Sequence, residues 1–499
     1  MSLHCPNQSC PYATRYRRPA EYREGFTTCS DCGSALVPGE SVPIATPIAP
    51  EAIPAGPVSR ELWQRVTVTA GVLGIAWAAS QILIPGVDLS EFDRAGLRNR
   101  VFAMAGAASL GLNPAIFAFQ LVEWAALIVP PWRHLRAGTP EGRVPLRRAA
   151  YLLTAVFGLV QGFGIGTWMQ SVHMLEPGLG QRLMVTAILG VTSTLALALA
   201  HVAGRRGLGN GFSVLLAAAL VPSVVELAES AYGLWTAGAM TSGLPFTLAL
   251  PSVIVAVASV RLARRFWKRG EGPRGLPLPA SGVAPLGIAA GILSLPLSVA
   301  PLLGADLREY AALLSSGDLR VDAIHLALIA ASCAALSFLF NRPERVSALR
   351  ARLGVEGAPD PLERSAVKSF LFLALLYAAA RVGSLPVSGV RMAVDMVGVA
   401  VFAAVAQDLV SEWRFRRVHG PVVSVWPVHQ VYAAPALVEA LEAREVPALA
   451  RSLRHRALLQ FFGPHVPVEI LVPAAHATKA EAALRAVAPP GTPASPQPS

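Results

Sequence analysis

Four cysteines fall in two close pairs near the start of the chain, Cys5-x4-Cys10 and Cys29-x2-Cys32, the second followed at once by Gly33. Thiolates at such short separations converge on one soft divalent cation, because two knuckles joined by an intervening segment can face each other and close a tetrahedron. The spacing predicts a zinc ribbon over residues 1–36 with Zn2+ in a structural role, since all four ligand positions are filled and none is left for a reacting water. Apparent zinc binding of about 10–16 kcal/mol in comparable peptides is enough to decide whether so small a segment folds. His4 reads as a bystander and the isolated Cys333, inside an apolar run, as packing. HExxH, GxSxG and Walker patterns are absent from the sequence, so an enzymatic reading has no support.

The elements behind this module are of another kind. Of 499 residues 53% are hydrophobic and 15% charged, with a mean hydropathy of +0.49, which excludes an ordinary water-facing globule. The apolar residues come in blocks matched to a bilayer core, at about 63–84, 111–130, 148–170, 181–203, 208–231, 244–263, 283–304, 321–340, 366–384 and 392–411. Ten membrane helices are therefore expected. The links after spans two, four, six and eight are rich in arginine (Arg133 to Arg148, Arg205 and Arg206, Arg264 to Arg274, Arg342 to Lys368), whereas most alternate links are poor in Arg and Lys and carry acids. By the positive-inside rule both termini face the cytoplasm, and the net charge of +11 is first a matter of topology. The first span is expected to serve as its own insertion signal.

Residues 37–59 are a Pro-rich linker and 488–499 a low-complexity tail expected to be disordered. Between the last span and that tail, residues 418–487 alternate strand and helix patterns: VVSVWPVHQVY, APALVEALEARE, VPALARSL, VEILVP and ATKAEAALRAV. They predict a small cytosolic α+β module.

Residues 60–417 contain the runs IPGVD (Ile84 to Asp88), SLGLNPAIFAFQ (Ser109 to Gln120), GRVPLRRAAYLLTAVFGLVQGFGIG (Gly142 to Gly166), AGRRGLGNGFSVLLAAAL (Ala203 to Leu220), LPLPASGVAPLGIAAGILSLP (Leu276 to Pro296), FLFNRPERVSALRARLG and AVAQDLV. In order and spacing these runs resemble the SecY family, the channel subunit of the Sec protein translocon. The most specific is the Gly207, Gly209, Asn210, Gly211, Ser213 pattern of the turn between spans four and five, where glycines permit a tight reversal. The resemblance implies an all-α polytopic fold of two five-helix inverted halves, clasping a pore that conducts polypeptide across the bacterial inner membrane or sideways into lipid. It also leaves open a non-conducting relative acting as a scaffold or regulator. Carried over by position, it implies an apolar constriction of Leu112, Ile116, Phe212, Leu216 and Met396, with Ile288 standing in where the family position falls on Gly287.

The resemblance further places Asn113 and Gln161 as polar contacts near the lateral gate, and a shortened plug, if any, in Leu89 to Leu110. It implies docking of a ribosome or the SecA motor on basic loops, here Arg264, Arg265, Arg269, Arg345 and Arg350, and a SecE-like subunit as a further partner, with unfolded or nascent polypeptides as substrates. Nothing points to DNA. Glu123, Glu226 and His325 lie near span ends and are expected to be solvated at the interface, and Asp395 to be a lumenal polar contact.

Overall fold

A computed structural model describes residues 3–5, 7, 10, 21–22, 27–38, 60–90, 105–137, 143–236, 238, 250–251, 253–261, 279–299, 308–316, 318–341, 343–355, 362–383 and 395–485. The chain divides into a unit of residues 1–57 and a unit of residues 58–499. In the first, β1 (Leu3–His4) pairs antiparallel with β2 (Glu21–Tyr22) on one side and β3 (Val37–Pro38) on the other. Strands this short are held by what lies between them, which is the cysteine cluster.

The second unit is mostly helical. In chain order it holds α1 (Arg60–Ser80), α2 (Asn113–Ile128), α3 (Pro130–Ala137), α4 (Val144–Ser171), α5 (Leu179–Arg206), α6 (Gly211–Thr236), α7 (Ala284–Val299), α8 (Arg308–Ser316), α9 (Leu319–Phe340), α10 (Pro343–Leu353), α11 (Leu362–Gly383) and α12 (Met396–His419). A further helical run covers 253–261. Among the described residues five helices are long and apolar enough to cross a membrane: Val144–Ser171, Leu179–Arg206, Leu319–Leu353, Leu362–Val382 and Met396–His419. Asn113–Ile128 and Ala284–Leu297 are apolar but shorter. Large apolar side chains face outward along these rods, among them Leu152, Val160, Leu183, Val191 and Leu195, a surface that water does not tolerate and lipid does.

α4 and α5 form the closest pair because α4 carries Gly158, Gly162 and Gly166 one turn apart. A methyl group on Gly162 would lie 3.1 Å from the Thr186 Cα, and one on Gly158 3.3 Å from the Gly190 Cα. Without Cβ atoms the backbones meet, which is how helices gain contact where no hydrophobic force separates protein from solvent.

A second apolar cluster, apart from the main one, joins Ile84, Val87 and Leu89 to Ala105, Ala107, Leu110, Met169 and Met174. The described part of the run read as a reduced plug therefore packs here, and residues 91–104 lie outside the described residues.

After α12 the chain forms β4 (Val422–Val428), α13 (Ala433–Glu442), β5 (Leu449–Arg451), α14 (Leu453–Leu458), a 3-10 turn (Gln460–His465), β6 (Val468–Pro473) and α15 (Ala477–Arg485). The sheet is antiparallel in the order β4-β6-β5, and its core of Val428, Leu437, Leu441, Val446, Ile470 and Val472 also takes up Val346 and Leu353 of α10. Residues 418–487, expected as a small α+β module of their own, belong to the same compact unit as the helices. The reason is the connection from β5 to β6. Instead of covering its own sheet, it leaves the module and buries Leu458, Leu459, Phe461, Phe462 and Val466 in the core of the helical bundle.

Candidate functional site

The turn between α5 and α6 is the meeting point. Gly209 has φ +75°, a conformation that costs a side chain dearly, and a Cβ on Gly207 would stand 2.6 Å from the Thr69 hydroxyl. The Asn210 side chain accepts from the Phe212 amide at 3.1 Å and the Ser213 amide at 3.3 Å, capping α6. The turn's free backbone groups are taken by side chains from elsewhere: the Gly209 amide donates to Glu412 at 2.9 Å, and the Leu208 amide to Thr69 at 2.8 Å. Arg451 of β5 donates to the Gly204 carbonyl at 3.2 Å and to that of Gly209.

These contacts belong to one ionic chain. Arg451 pairs with Glu412 at 3.0 Å and Glu469 at 2.8 Å; Glu412 pairs with Arg416 at 2.9 Å; Arg416 reaches Glu61 at 3.4 Å, which holds Arg65 at 2.9 Å. Arg451 is buried, and its two carboxylate partners hold its pKa above the ordinary guanidinium value despite that burial. The network ties α1, the glycine turn, α12 and the C-terminal sheet together at the end of the bundle that carries the basic links.

The β5–β6 connection, called the arm below, enters beside it. Arg454 pairs with Asp408 of α12 at 2.8 Å, whose other oxygen accepts from the His455 amide at 3.0 Å. The His455 Nδ1 and the Ser213 Oγ are hydrogen-bonded at 2.6 Å. The Val283 amide, one residue before α7, donates to the Leu458 carbonyl at 2.7 Å, and Gln460 donates to the Pro279 and Ala280 carbonyls at 3.1 and 2.9 Å. The Phe462 ring stands edge-on to Phe212 (5.0 Å between centroids) and Phe119 (6.1 Å), which are themselves 5.3 Å apart, while His465 stacks on Phe119 at 4.7 Å. Burial and nearby arginines push both His455 and His465 down to about 3. Above the arm's Gly463 sits Glu123 of α2, fully buried and paired with Arg136 at 2.7 Å. Glu123 is thus no interfacial residue: burial is possible because Arg136 supplies its counter-charge.

All six positions of the implied constriction belong to the main apolar cluster, Leu112, Phe212 and Met396 buried, Ile116, Leu216 and Ile288 half-buried. They do not share one level. Met396 opens α12, 16 residues before Glu412, or about 24 Å along the axis, yet Glu412 bonds the foot of α6 where Phe212 sits. Phe212 therefore lies at the arm, with Met396 and Leu112 at the far end. The residues one turn beyond the arm are Ile116 above Phe119, Leu216 above Phe212, Ile288 above Val283, and Ala404 above Asp408. Sequence position alone assigned the α12 residue to the wrong end of its helix.

Other expected residues have plain roles. Asp395 caps α12, accepting from the Gly398 amide at 2.9 Å, and is not a lumenal contact. Asn113 is exposed at the first residue of α2 and Gln161 half-buried in α4; His325 is half-buried, its ring 4.6 Å from that of Tyr377. Cys333 is buried and accepts from Ser281 at 3.6 Å. Arg345 is exposed, but Arg350 is buried and pairs with Glu439 of α13 at 3.3 Å, so it fastens the C-terminal module and is not free to dock a partner. Arg264, Arg265, Arg269 and the Glu226 side chain lie outside the described residues.

In the N-terminal unit the sulfurs of Cys5, Cys10, Cys29 and Cys32 all lie within 4.8 Å of one another, Cys5 3.5 Å from Cys32 and Cys10 3.7 Å from Cys29. Sulfurs bound to one tetrahedral zinc at 2.3 Å stand about 3.8 Å apart, so the set fits. Gly33, at φ +70°, turns the second knuckle, and the Tyr22 hydroxyl donates to Cys29 at 3.2 Å. Burial holds the Cys5 thiol up at about 12, whereas the Ser34 hydroxyl and amide bring Cys32 down to about 6.

A family model described as SecY matches residues 107–348. Curated relatives include the protein translocase subunit SecY of Rickettsia typhi, 23% identical over 277 residues (48% of this chain, 64% of that one), and of Escherichia coli strain K12, 25% identical over 280 residues (49% and 63%). The chain thus spans somewhat less than two thirds of their length. Solved structures that align with it are one described as a protein conducting channel (13% identity, TM-score 0.47) and Sec61 in the canine ribosome-channel complex from the endoplasmic reticulum (13%, TM-score 0.42), each over 73% of this chain and 95% of the other. With a family model matching residues 107–348, which hold the glycine turn, and relatives of 23–25% identity over about half of its length, this chain is similar to the SecY family.

Proposed function

We propose that the chain is a specialised SecY-like channel subunit, with ten spans and both termini in the cytoplasm, that passes unfolded or nascent polypeptides across the bacterial inner membrane or into it. The observation that supports this reading is that Ile116, Leu216, Ile288 and Ala404, each about one turn from an arm contact on its own helix, all belong to one apolar core, which we read as an apolar girdle. A short apolar constriction excludes water and hence ions, while flexible side chains part around a chain. The four cysteines hold a structural zinc that folds the N-terminal ribbon, and no catalytic role is assigned. A SecE-like clamp and a ribosome or SecA at the basic end are the partners the reading provides for, with Arg345 exposed there.

Site-specific photo-crosslinking in living cells from position 116 tests it. Adducts to secretory or membrane chains are expected; abundant, inserted protein with no adduct would move the reading to a non-conducting scaffold, which the filled basic end of the bundle favours.

A further inference from the structure

We propose that the arm, Leu453 to Val466, is a built-in stopper: a segment of the chain's own C-terminal module that closes the basic mouth of the bundle and must withdraw before a polypeptide can enter. The inference rests on the channel reading above.

The arm's Leu458, Leu459, Phe461, Phe462 and Val466 belong to the bundle's core, whereas its first residue, Leu453, and the sheet that launches it belong to a separate core. It therefore extends from one apolar core of the unit into the other. Its contacts fall on the elements that carry the girdle: Asp408 of α12, Ser213 and Phe212 of α6, Phe119 of α2, and the Val283 amide before α7. Phe462 packs edge-on against both Phe119 and Phe212, one turn below Ile116 and Leu216, where an entering chain would have to pass.

The seat is also poorly satisfied for a permanent core. The His455 Nε2, both ring nitrogens of His465, the Arg456 Nε and the Glu123 Oε2 are buried without a hydrogen-bond partner. Each such atom costs free energy that water would relieve, so docking is opposed by polar desolvation and favoured by charge pairs and aromatic burial. A contact balanced in this way is suited to reversal. Anchored by β5 at one end and β6 at the other, the arm withdraws without its sheet unfolding.

The test uses the full chain, reconstituted, with Ala457→Cys as a reporter, since Ala457 lies on the arm and is buried when the arm is docked. Arg454→Glu places a second acid against Asp408. Peptide-level mass spectrometry should find reporter labelling by an impermeant maleimide about tenfold faster in Arg454→Glu, by the loss of a charge-assisted contact, with ion current across planar bilayers where the parent is silent. Combining it with Asp408→Arg should restore both protection and silence, which a merely misfolded variant would not do.

Equal labelling in parent and Arg454→Glu overturns the stopper. Faster labelling with no current, when Ile116→Asn added to Arg454→Glu does conduct, overturns the stopper and leaves the channel standing. No current in either variant overturns both.

Discussion

Glu123 shows how one side chain decides a region. Its carboxylate is fully buried and pairs with Arg136, and a Cβ added at Gly463 of the arm would press on it. Neutralising it by Glu123→Gln leaves Arg136 without its counter-charge, at a cost of about 3–5 kcal/mol for a broken buried pair. A clear drop in Tm of the detergent-solubilised protein is expected; an unchanged Tm would mean that solvent reaches the pair. The cysteines make the other residue-scale prediction. Metal analysis of the purified chain should find one zinc per chain, lost when Cys10→Ser and Cys29→Ser are combined. A ratio that does not respond to those substitutions would remove the ribbon assignment.

At the scale of elements, α4 and α5 depend on absent side chains. Gly162→Leu must force the helices apart where backbone lies 3.1 Å from the new Cβ, costing about 1–3 kcal/mol, whereas Gly164→Leu, which meets nothing within 4 Å, should be neutral. Thermal unfolding of the two variants side by side measures the difference.

The arm carries a pH dependence. His455 faces Ser213, Asp408 and Arg456, and His465 faces Phe119 with Arg456 and Arg147 nearby; both are held to about 3 when docked, against 6.5 when free. The undocked arm therefore binds more protons below 6.5, so docking is fully favourable above that pH and weakens as pH falls. At pH 5 the loss is about 2 kcal/mol from each histidine. Hydrogen exchange over residues 453–466 should be slow at pH 7.5 and faster at pH 5, while the β4–β6 ladder stays protected.

Periodicity made the helices and the strands around residues 422–473 legible, because apolar blocks and alternation are local signals. The glycine turn was legible through resemblance. What the sequence hid were partners distant along the chain: Arg451 on the Gly209 carbonyl, Asp408 under Arg454, Glu123 over Gly463. The arm, SLRHRALLQFFGPH, has no period of its own, and its paired phenylalanines were the available hint. Met396 was misplaced because a helix's position along its neighbours is fixed by contacts at its other end, here Glu412.

The chain comprises a unit of residues 1–57 that carries the four-cysteine cluster and a mostly helical unit of residues 58–499 that includes the C-terminal sheet. The double anchoring of the arm has a kinetic and thermodynamic meaning at this scale. A tethered occupant faces its site at an effective concentration of about a millimolar, whatever the cell contains. Every arriving chain then competes with a rival that never diffuses away, and its apparent affinity is reduced by the fraction of time the mouth is vacant. Weak, incidental encounters are filtered out, and the sequences admitted are those able to displace Phe462 from its seat against Phe119 and Phe212.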